Sequence, residues 1–330
     1  MSGADGGPGQ QAATDHQSGR RVLVTGASGF LGTRVVGPLL SAGFEVHALG
    51  RRPRESSPGV CWHAVDLLDD RASAATVREV GAGHLMHLAW YTEHGRFWGS
   101  PENLDWAAAS LRLLRAFAEA GGRRAVFAGT CAEYDWSTSR ERCRELDGAE
   151  GSATPERPAT VYGAAKHATR LLADAYAREV GLSIAWGRIF LLYGPGEDER
   201  RLVPQVARAL LAGREARTSD GSQVRDLMHV DDVARGFAAL LDGAVEGPVN
   251  VASGEAVALA RVIELIAQAS GHPELLRLGA LPRREGEPER LVADTRRLRE
   301  EVGFEPSVEL EPGIEAAVAS WRASRTDTGA

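Results

Sequence analysis

The segment from Arg21 to Gly32 constrains the fold of this chain more than any other stretch. Residues 22–24 form a short apolar run with β-branched ends, which predicts a strand buried on both faces of a parallel sheet. Glycines follow at Gly26, Gly29 and Gly32, and a helical pattern begins directly after them. Such a turn brings backbone N–H groups up to a pyrophosphate, so the segment predicts a dinucleotide site. The alternative is a purely structural turn, because the spacing is G-x-x-G-x-x-G rather than the more familiar G-x-G-x-x-G.

The composition is that of an ordinary globular protein, since 43% of the 330 residues are hydrophobic and 25% are charged. The net charge of −7, without a long basic run, argues against nucleic acid or an anionic membrane as a partner. Residues 1–19 are polar and glycine-rich and lack the apolar centre of a signal peptide, so we expect a disordered tail. No apolar run is long enough to span a membrane, and Cys61, Cys131 and Cys143 form no CxxC pair. We therefore expect a reduced, cytoplasmic protein without a metal site, a disulfide framework or a membrane partner.

Strand-like and helix-like segments alternate as far as Ile189. Strands are predicted, for example, at His84 to Ala89 and at Arg124 to Ala128, and a long helix is predicted from about Pro158 to Val180. This alternation predicts an α/β fold with a doubly wound parallel sheet of the Rossmann type, followed by a smaller C-terminal α/β domain. The expected division is a tail at 1–19, a dinucleotide-binding domain at 20–189 with returns at about 226–252, a substrate domain at 190–225 and 253–323, and a frayed tail at 324–330.

The second predicted strand ends at Gly50, where a dinucleotide-binding unit holds the adenosine ribose. An acidic residue at this point favours NAD, whereas an arginine accommodates the 2′-phosphate of NADP. Glycine here is followed by Arg51 and Arg52, which predicts a preference for NADP(H), with NAD(H) as the alternative cofactor. The other interpretation is that both arginines are solvated loop charges. Asp66 follows the third strand, where it would accept a hydrogen bond from adenine or cap the next helix.

Tyr162 and Lys166 stand four residues apart, so they share one face of the long predicted helix. The charge of the lysine would favour the phenolate and lower the tyrosine pKa, which suits proton transfer near neutral pH. The Y-x-x-x-K pattern alone is common on surface helices. Trp90 follows the fourth strand at the sheet edge where ligands bind, and would either border a substrate or cover the core.

Taken in order, four motifs resemble the extended short-chain dehydrogenase/reductase superfamily, in its nucleotide-sugar epimerase/dehydratase/reductase branch. They are Thr25 to Gly32, Thr130, Tyr162 to Lys166 and Arg225 to Val233. The resemblance implies that Tyr162 is the general acid/base on the sugar oxygen and that Lys166 holds the nicotinamide ribose and lowers the tyrosine pKa. It implies that Thr130 hydrogen-bonds the same substrate oxygen. It also implies a smaller C-terminal domain that closes over a nucleotide sugar.

The resemblance implies two further sets of site residues. The cofactor set is Gly26, Ser28, Gly29, Phe30, Leu31, Gly32, Arg51, Arg52, Asp66, Leu67, Leu88, Ala89, Trp90, Tyr162, Lys166 and Ile189. The substrate set is Trp90, Thr130, Cys131, Tyr162, Val203 and Arg225. The arginine would contact the sugar-nucleotide diphosphate, and the alternative is a buried pair with a carboxylate.

The sequence departs from the branch in four respects. The dehydratases carry Asp-Glu directly after the catalytic threonine, and this chain has Cys131 and Ala132, which argues against dehydration. Asp135 replaces a glycine that usually follows Tyr134. Leu191 and Trp106 replace two asparagines that are common near the sugar.

The expected function is an NADPH-dependent reductase of a nucleotide-linked 4-keto-6-deoxyhexose, in which hydride goes to C4 and Tyr162 protonates the oxygen. The first alternative is an NAD-dependent nucleotide-sugar 4-epimerase, which oxidises and re-reduces one carbon. The alternative of another class is a non-catalytic dinucleotide-binding protein. The resemblance also implies a homodimer formed by the two long helices. Leu111, Leu114, Leu171 and Leu172 are candidate contacts, and the alternative is that they belong to the core of a monomer.

Overall fold

The computed structural model describes residues 20–138, 141–146, 152–284 and 286–326. The tail predicted at residues 1–19 lies outside the described residues, as do residues 327–330 of the predicted C-terminal tail. The last described helix extends to Thr326. None of the described helices combines the length and the apolar character needed to cross a membrane.

A parallel sheet of seven strands forms the centre of the molecule. The described strands are, in chain order, β1 (Arg21–Thr25), β2 (Glu45–Gly50), β3 (Val60–Ala64), β4 (His84–His87), β5 (Arg124–Thr130), β6 (Ser183–Ile189), β7 (Leu191–Tyr193), β8 (Ala216–Arg217), β9 (Val224–Arg225), β10 (Leu227–His229), β11 (Gly247–Val251), β12 (Val257–Ala258), β13 (Leu276–Arg277) and β14 (Arg290–Leu291). The central sheet has the strand order β11-β6-β5-β4-β1-β2-β3. The predicted α/β fold with a doubly wound parallel sheet is confirmed.

Helices cover both faces of this sheet. They are α1 (Gly32–Ser41), α2 (Asp70–Val80), α3 (Glu102–Glu119), α4 (Val161–Val180), α5 (Leu202–Leu211), α6 (Val230–Asp242), α7 (Leu259–Ser270) and α8 (Leu310–Thr326). Helices α1 and α6 pack on one face, and α2, α3 and α4 pack on the other. Val22 and Val24 point to the first face and Leu23 to the second, which is why the first strand is apolar throughout.

Three predicted boundaries move, each for a local reason. Helix α4 begins at Val161 rather than near residue 158, because the Thr160 side chain accepts a hydrogen bond from the Gly163 N–H at 3.1 Å. Strand β4 ends at His87, since the Ala89 N–H donates to a side chain, Thr25 Oγ1, at 3.3 Å. Strand β5 continues to residue 130, where its backbone still pairs with β6.

The cap of α2 corrects one alternative for Asp66. The helix is capped by Asp69, whose side chain accepts from the N–H groups of Arg71 and Ala72. Asp66 instead accepts a local hydrogen bond from the Leu68 N–H at 3.0 Å. The sequence contains an acid at each place, and only the geometry of the turn decides which one reaches the helix start.

A separate hydrophobic cluster lies away from the main sheet. It is formed by α5, α7 and α8, with Val206, Ile266 and Ile314 at its centre. These elements fall within the ranges 190–225 and 253–323. The predicted domain boundaries stay a prediction.

The four leucines proposed for a dimer surface differ in exposure. Leu114 is 1% exposed and belongs to the core between the sheet and its helices, so the prediction that it contributes to a surface is wrong. Leu111 is partly buried against the same core. Leu171 and Leu172 are 50% and 57% exposed. Because one side of α3 packs into the core cluster and its leucines are close in sequence, spacing alone does not separate its core leucines from its outer ones.

Candidate active site

A cleft of about 980 Å³ opens along the carboxyl ends of the central strands. Its other wall comes from the segments around Glu197, Val203 and Glu287. The carboxyl edge is where ligands bind in a doubly wound sheet. The predicted site residues that line this cleft are Gly26, Ser28, Gly29, Phe30, Leu31, Gly32, Arg51, Leu67, Leu88, Ala89, Trp90, Thr130, Cys131, Tyr162, Lys166, Ile189, Val203 and Arg225.

Two predicted cofactor residues are placed elsewhere. Arg52 and Asp66 are exposed and are not among the described residues that line the cleft. Arg51, in contrast, borders the cleft beside Gly50. Of the two arginines, only the first is therefore placed to meet a group bound at the end of β2.

The glycine turn is packed too closely for other residues. Gly26 has a φ of +69°, and a Cβ there would lie 2.8 Å from the Ala89 nitrogen. A Cβ on Gly32 would lie 2.0 Å from the Gly26 oxygen. The turn thus joins β1 to α1 with bare backbone bordering the cleft, as a bound pyrophosphate requires. These residues fit a nicotinamide dinucleotide.

A buried histidine ties the ends of β1 and β4 together beside this turn. His87 Nδ1 lies 2.7 Å from Thr25 Oγ1, and its Nε2 lies 2.8 Å from Ser110 Oγ. Burial lowers the pKa of His87 to about 3, so the ring is neutral at physiological pH. It therefore holds the two strand ends in place without adding charge to the cleft.

Thr130 and Tyr162 meet at the end of β5. The strand ends at Thr130, and a short 3₁₀ turn, Cys131–Glu133, follows directly. Tyr162 lies in the first turn of α4, and its phenol and the Thr130 side chain border the same part of the cleft. The tyrosine ring is held edge-on by Phe97 and Trp98, with ring centroids 4.9 and 5.7 Å away. The Tyr162 ring is therefore held in a largely apolar surrounding.

Lys166 lies one helical turn further along the same face. Its Nζ donates a hydrogen bond to the Ala128 oxygen at 2.7 Å and lies 3.9 Å from the centre of the Trp90 ring. Burial lowers the pKa of Lys166 to about 7. Thus the structure brings all three predicted catalytic side chains to one wall of the cleft.

The direction of the Tyr162 pKa shift corrects the sequence-based expectation. Burial raises the pKa of Tyr162 above its usual value, and the hydrogen bond from Thr130 opposes this only in part. Taking a phenolate out of water disfavours the charged form more strongly than the neighbouring groups favour it. The same burial removes charge from Lys166, which weakens the influence that the lysine was expected to have.

Glu133 is a site residue that the sequence analysis missed. It is fully buried, and its Oε1 accepts hydrogen bonds from the Thr130 N–H at 2.9 Å and from Trp186 Nε1 at 2.8 Å. Its Oε2 accepts from Arg188 Nε at 3.0 Å. The sequence does contain a pattern that indicates this contact, because T-x-x-E from residue 130 to 133 is a capping-box sequence.

An ion-pair network extends from Glu133 away from the cleft. Arg188, also fully buried, contacts Glu156 with its other end. Arg170 contacts the same glutamate and pairs with Asp174 at 2.9 Å. These partners come from β6, α4 and the segment before α4, so the network ties the support of the 3₁₀ turn to three parts of the chain.

A family model described as "NAD dependent epimerase/dehydratase family" matches residues 22–252. This stretch spans well over half of the chain and contains the glycine turn and all three predicted catalytic residues. The chain belongs to the NAD dependent epimerase/dehydratase family. It is an NAD(P)-dependent enzyme of the extended short-chain dehydrogenase/reductase type, as the sequence predicted.

Three proteins that this chain resembles catalyse three different reactions on nucleotide sugars. The UDP-glucose 4-epimerase of Thermus thermophilus, solved in complex with NAD, is 30% identical, with a TM-score of 0.79 and coverage of 92% of this chain and 99% of that one. The dTDP-glucose 4,6-dehydratase of Streptomyces venezuelae, solved with NAD bound, is 25% identical, with a TM-score of 0.80 and coverage of 93% and 98%. The dTDP-4-dehydro-6-deoxy-D-allose reductase of Streptomyces bikiniensis is 28% identical over 93% of this chain and 97% of its own.

Cys131 and Ala132 occupy the two positions after Thr130 where the dehydratases of this family carry acids. Both side chains are buried, and burial raises the pKa of Cys131 to about 12, so its thiol is neutral. Glu133 is the next acid along the chain, but its oxygens are engaged by the backbone, by an indole and by a guanidinium. These contacts leave residues 131–133 without the free acid pair that the dehydratases carry.

Asn103 is a second supporting residue that the sequence analysis missed. It lies one turn before Trp106 in α3, is fully buried, and accepts a hydrogen bond from Trp90 Nε1 at 2.8 Å. Its Nδ2 donates to the oxygens of Phe97 and Ser100 at 2.7 and 2.9 Å. The asparagine thereby holds both the tryptophan over Lys166 and the loop whose aromatic rings cover Tyr162. Sequence reasoning compared one position and passed over the amide three residues before it.

Arg225 combines the two interpretations offered for it. It is buried and lies 3.2 Å from Glu287 Oε1 through its Nη2, so the carboxylate pair exists. Both side chains also line the cleft. A bound anion would therefore meet an arginine that is already oriented by a partner, at the wall opposite the glycine turn.

Proposed function

We propose that the protein is an NADPH-dependent reductase of a nucleotide-linked 4-keto-6-deoxyhexose. The observation that carries the proposal is the placement of Thr130 and Tyr162 together in the cleft, next to a position 131 that holds a neutral thiol instead of an acid. This arrangement supplies one proton donor to a carbonyl oxygen and no second acid/base pair to eliminate water. The chemistry it supports is reduction or epimerisation at C4 rather than dehydration.

Tyr162 acts as the proton donor in this proposal. Burial keeps its phenol protonated at neutral pH, which is the state that a reductase needs at the start of turnover. Thr130 donates a hydrogen bond to the same carbonyl oxygen and fixes its distance from the phenol. When bound, the nicotinamide dinucleotide supplies the hydride that C4 receives.

Lys166 and the glycine turn would hold the cofactor. Lys166 would bind the nicotinamide ribose, and backbone amides after Gly26 would bind the pyrophosphate. Arg51 would pair with a 2′-phosphate at the end of β2, where no acid stands against it. The preference for NADPH rests on this residue, and NAD(H) is the alternative.

Two observations support the proposed class of substrate: the residues along one wall of the cleft and the reaction named for one relative. Arg225 is placed to contact a diphosphate, with Val203 and Trp90 bordering the same space. The Streptomyces bikiniensis relative acts on a dTDP-linked 4-dehydro-6-deoxy sugar, as its name states. A nucleotide-linked keto sugar would offer a diphosphate to Arg225 and a carbonyl oxygen to Tyr162 and Thr130.

The test is a panel of nucleotide-linked 4-keto-6-deoxyhexoses with NADPH or NADH, followed by loss of nicotinamide absorbance. We expect turnover with a kcat/KM for NADPH at least about tenfold above that for NADH, since one charge-assisted contact is worth about 1.4 kcal/mol or more. Arg51→Ala should reduce this ratio, whereas the control Arg54→Ala should not, because Arg54 stacks on Trp62 outside the cleft lining. A wild-type preference for NADH would contradict the cofactor assignment.

The alternative function is a nucleotide-sugar 4-epimerase, favoured by the likeness to the Thermus thermophilus enzyme. An epimerase keeps its cofactor and consumes none. Tightly bound NAD in the purified protein, with interconversion of C4 epimers of UDP-sugars and no NADPH oxidation, would establish this alternative. A non-catalytic dinucleotide-binding role is disfavoured by family membership and by the retained Tyr162 and Lys166.

We also propose a cytoplasmic homodimer that pairs α3 and α4 with their copies. Leu104, Leu171 and Leu172 leave apolar surface exposed on these helices. Light scattering of the wild type and of Leu172→Asp tests the proposal, because a charge at this position should yield a monomer if the interface exists. An unchanged dimer would place the contact elsewhere.

A further inference from the structure

Two neighbouring strands carry three side chains of types that commonly bind metals. They lie at the end of the sheet opposite the glycine turn. Glu45 and His47 are the first and third residues of β2, and Cys61 is the second residue of the edge strand β3. Register pairs His47 directly with Cys61. Because side chains alternate along a strand, residues 45 and 47 share one face, and the pairing adds the thiol to it.

The atoms of this cluster are close enough to bind one ion. A carboxylate oxygen of Glu45, a ring nitrogen of His47 and Cys61 Sγ all lie within 4.8 Å of one another. His47 Nε2 lies 3.3 Å from Glu45 Oε1. Tetrahedral zinc sets its nitrogen and oxygen ligands about 3.4 Å apart, and nitrogen and sulfur about 3.6 Å apart. The first separation is already met, and rotation of the Cys61 side chain would bring the sulfur closer.

His47 is the most informative member of the cluster. It is 8% exposed, and its buried Nε2 makes no hydrogen bond of ordinary geometry to any described residue. Its other nitrogen, Nδ1, lies 3.0 Å from His63 Nε2. A hydrogen bond on one ring nitrogen fixes the orientation of the other, as is usual for metal-bound histidines.

We propose that Glu45, His47 and Cys61 form a binding site for a divalent transition metal of the zinc class, with His63 as the residue that orients His47. The mixed oxygen, nitrogen and sulfur set is typical of Zn²⁺, and three protein ligands leave one position for water. This proposal differs from our expectation from cysteine spacing, because two adjacent strands bring together ligands that form no CxxC motif. Arg21 pairs with the far oxygen of Glu45, Oε2, at 3.1 Å and leaves Oε1 directed at the histidine.

A bound ion would cross-link the edge strand to its neighbour. Strand β3 is paired on one side only. Loss of pairing at such an edge is an early step of local unfolding, so a ligand common to both strands should raise the melting temperature. The cluster lies at the amino ends of β2 and β3, whereas the cleft lies at their carboxyl ends. The proposal is therefore independent of the reaction assigned to Tyr162.

The experiment is titration of the untagged, metal-free full-length protein with Co²⁺, followed by displacement with Zn²⁺. We expect one Co²⁺ per chain, a thiolate-to-cobalt charge-transfer band, and a rise in Tm on adding Zn²⁺. Cys61→Ser should abolish the band, and Glu45→Gln should weaken binding about tenfold or more. The glutamate is exposed, so the second variant tests the site without disturbing the core.

His272→Gln is the matched control. His272 lies 3.2 Å from Glu274 and is exposed, so it presents a histidine and a carboxylate without a thiol. This variant should bind Co²⁺ with unchanged stoichiometry, band and affinity. Absence of a thiolate band in the wild type would overturn the proposal, as would a band that survives Cys61→Ser. Equal loss of binding in the control would assign the metal to surface histidines instead.

Discussion

We expect the substitution Glu133→Gln to destabilise the protein and to slow its reaction, although residue 133 does not line the cleft. The carboxylate is fully buried and accepts hydrogen bonds from the Thr130 N–H, from Trp186 Nε1 and from Arg188 Nε. Glutamine keeps the shape and one acceptor oxygen. Its amide group, however, must face one of these donors, and the charge that balances the buried guanidinium is lost.

The magnitude follows from what remains around Arg188. Removing one partner of a buried ion pair costs about 3–5 kcal/mol, because the other charge stays in a low-dielectric site. Arg188 keeps its contact with Glu156, and glutamine keeps the acceptor for Thr130, so we expect the lower end, about 3 kcal/mol. For a chain of this length, such a loss corresponds to a fall in Tm of about 5 °C. Displacement of Thr130 should also reduce kcat by about tenfold, since small misplacements of catalytic groups have large kinetic effects.

The assay is urea unfolding followed by circular dichroism, combined with steady-state turnover. Glu119→Gln is the matched control, because Glu119 also pairs with an arginine, Arg115, but does so at 3.8 Å on an exposed helix face. We expect this control to lose less than about 0.5 kcal/mol and to keep full activity. A free energy of unfolding for Glu133→Gln within about 1 kcal/mol of the wild type would refute the reasoning, since it would mean that the buried charge is not needed to balance Arg188.

Two further variants test the chemistry and the electrostatics of the cleft. Tyr162→Phe removes the proposed proton donor, so kcat should fall by about 10²- to 10⁴-fold while NADPH affinity, measured by fluorescence titration, stays within about threefold; unchanged turnover would exclude the residue from catalysis. Burial raises the pKa of Glu197 to about 8, so the folded protein retains a proton that the unfolded chain releases. The stabilisation by protonated Glu197 is complete below the usual pKa of a glutamate and is lost as pH rises towards 8, by about 1.4 kcal/mol per pH unit. Urea unfolding between pH 5 and 8.5 should therefore show a steeper loss of stability in the wild type than in Glu197→Gln; parallel pH profiles for the two proteins would contradict the assignment.

The parts of the site that could be predicted are those that depend on local sequence. The turn from Gly26 to Gly32 demands glycine because a Cβ would collide with backbone, and that demand is visible as spacing in the chain. Tyr162 and Lys166 share a helix face, and the α4 pattern predicts the helix that carries them. The sheet follows from apolar runs that alternate with amphipathic helices, so its position beneath the site could be predicted as well.

The parts that could not be predicted depend on contacts between distant residues. Glu133 meets Arg188, 55 positions later, and Asn103 meets a tryptophan that comes 13 positions before it. No local pattern says which of the many arginines will reach a given buried acid. The cluster of Glu45, His47 and Cys61 also depends on distant residues, since His47 and Cys61 become neighbours only through the register of β2 and β3. Cysteine spacing can indicate metal ligands that lie close together in the sequence, but it gives no information about ligands on adjacent strands.

The direction of the Tyr162 pKa shift depends on burial in the folded protein and cannot be deduced from the residue types alone. Opposite charge nearby lowers a phenol pKa, and desolvation raises it, so the outcome depends on which effect is larger. Phe97 and Trp98 cover the ring, Lys166 is itself buried and has a pKa of about 7, and desolvation is the larger effect. A tyrosine that keeps its proton is suited to protonate a carbonyl oxygen that receives hydride, whereas oxidation of an alcohol needs a base. The aromatic cover provided by the Asn103-anchored loop is therefore one source of the burial that raises the pKa of Tyr162.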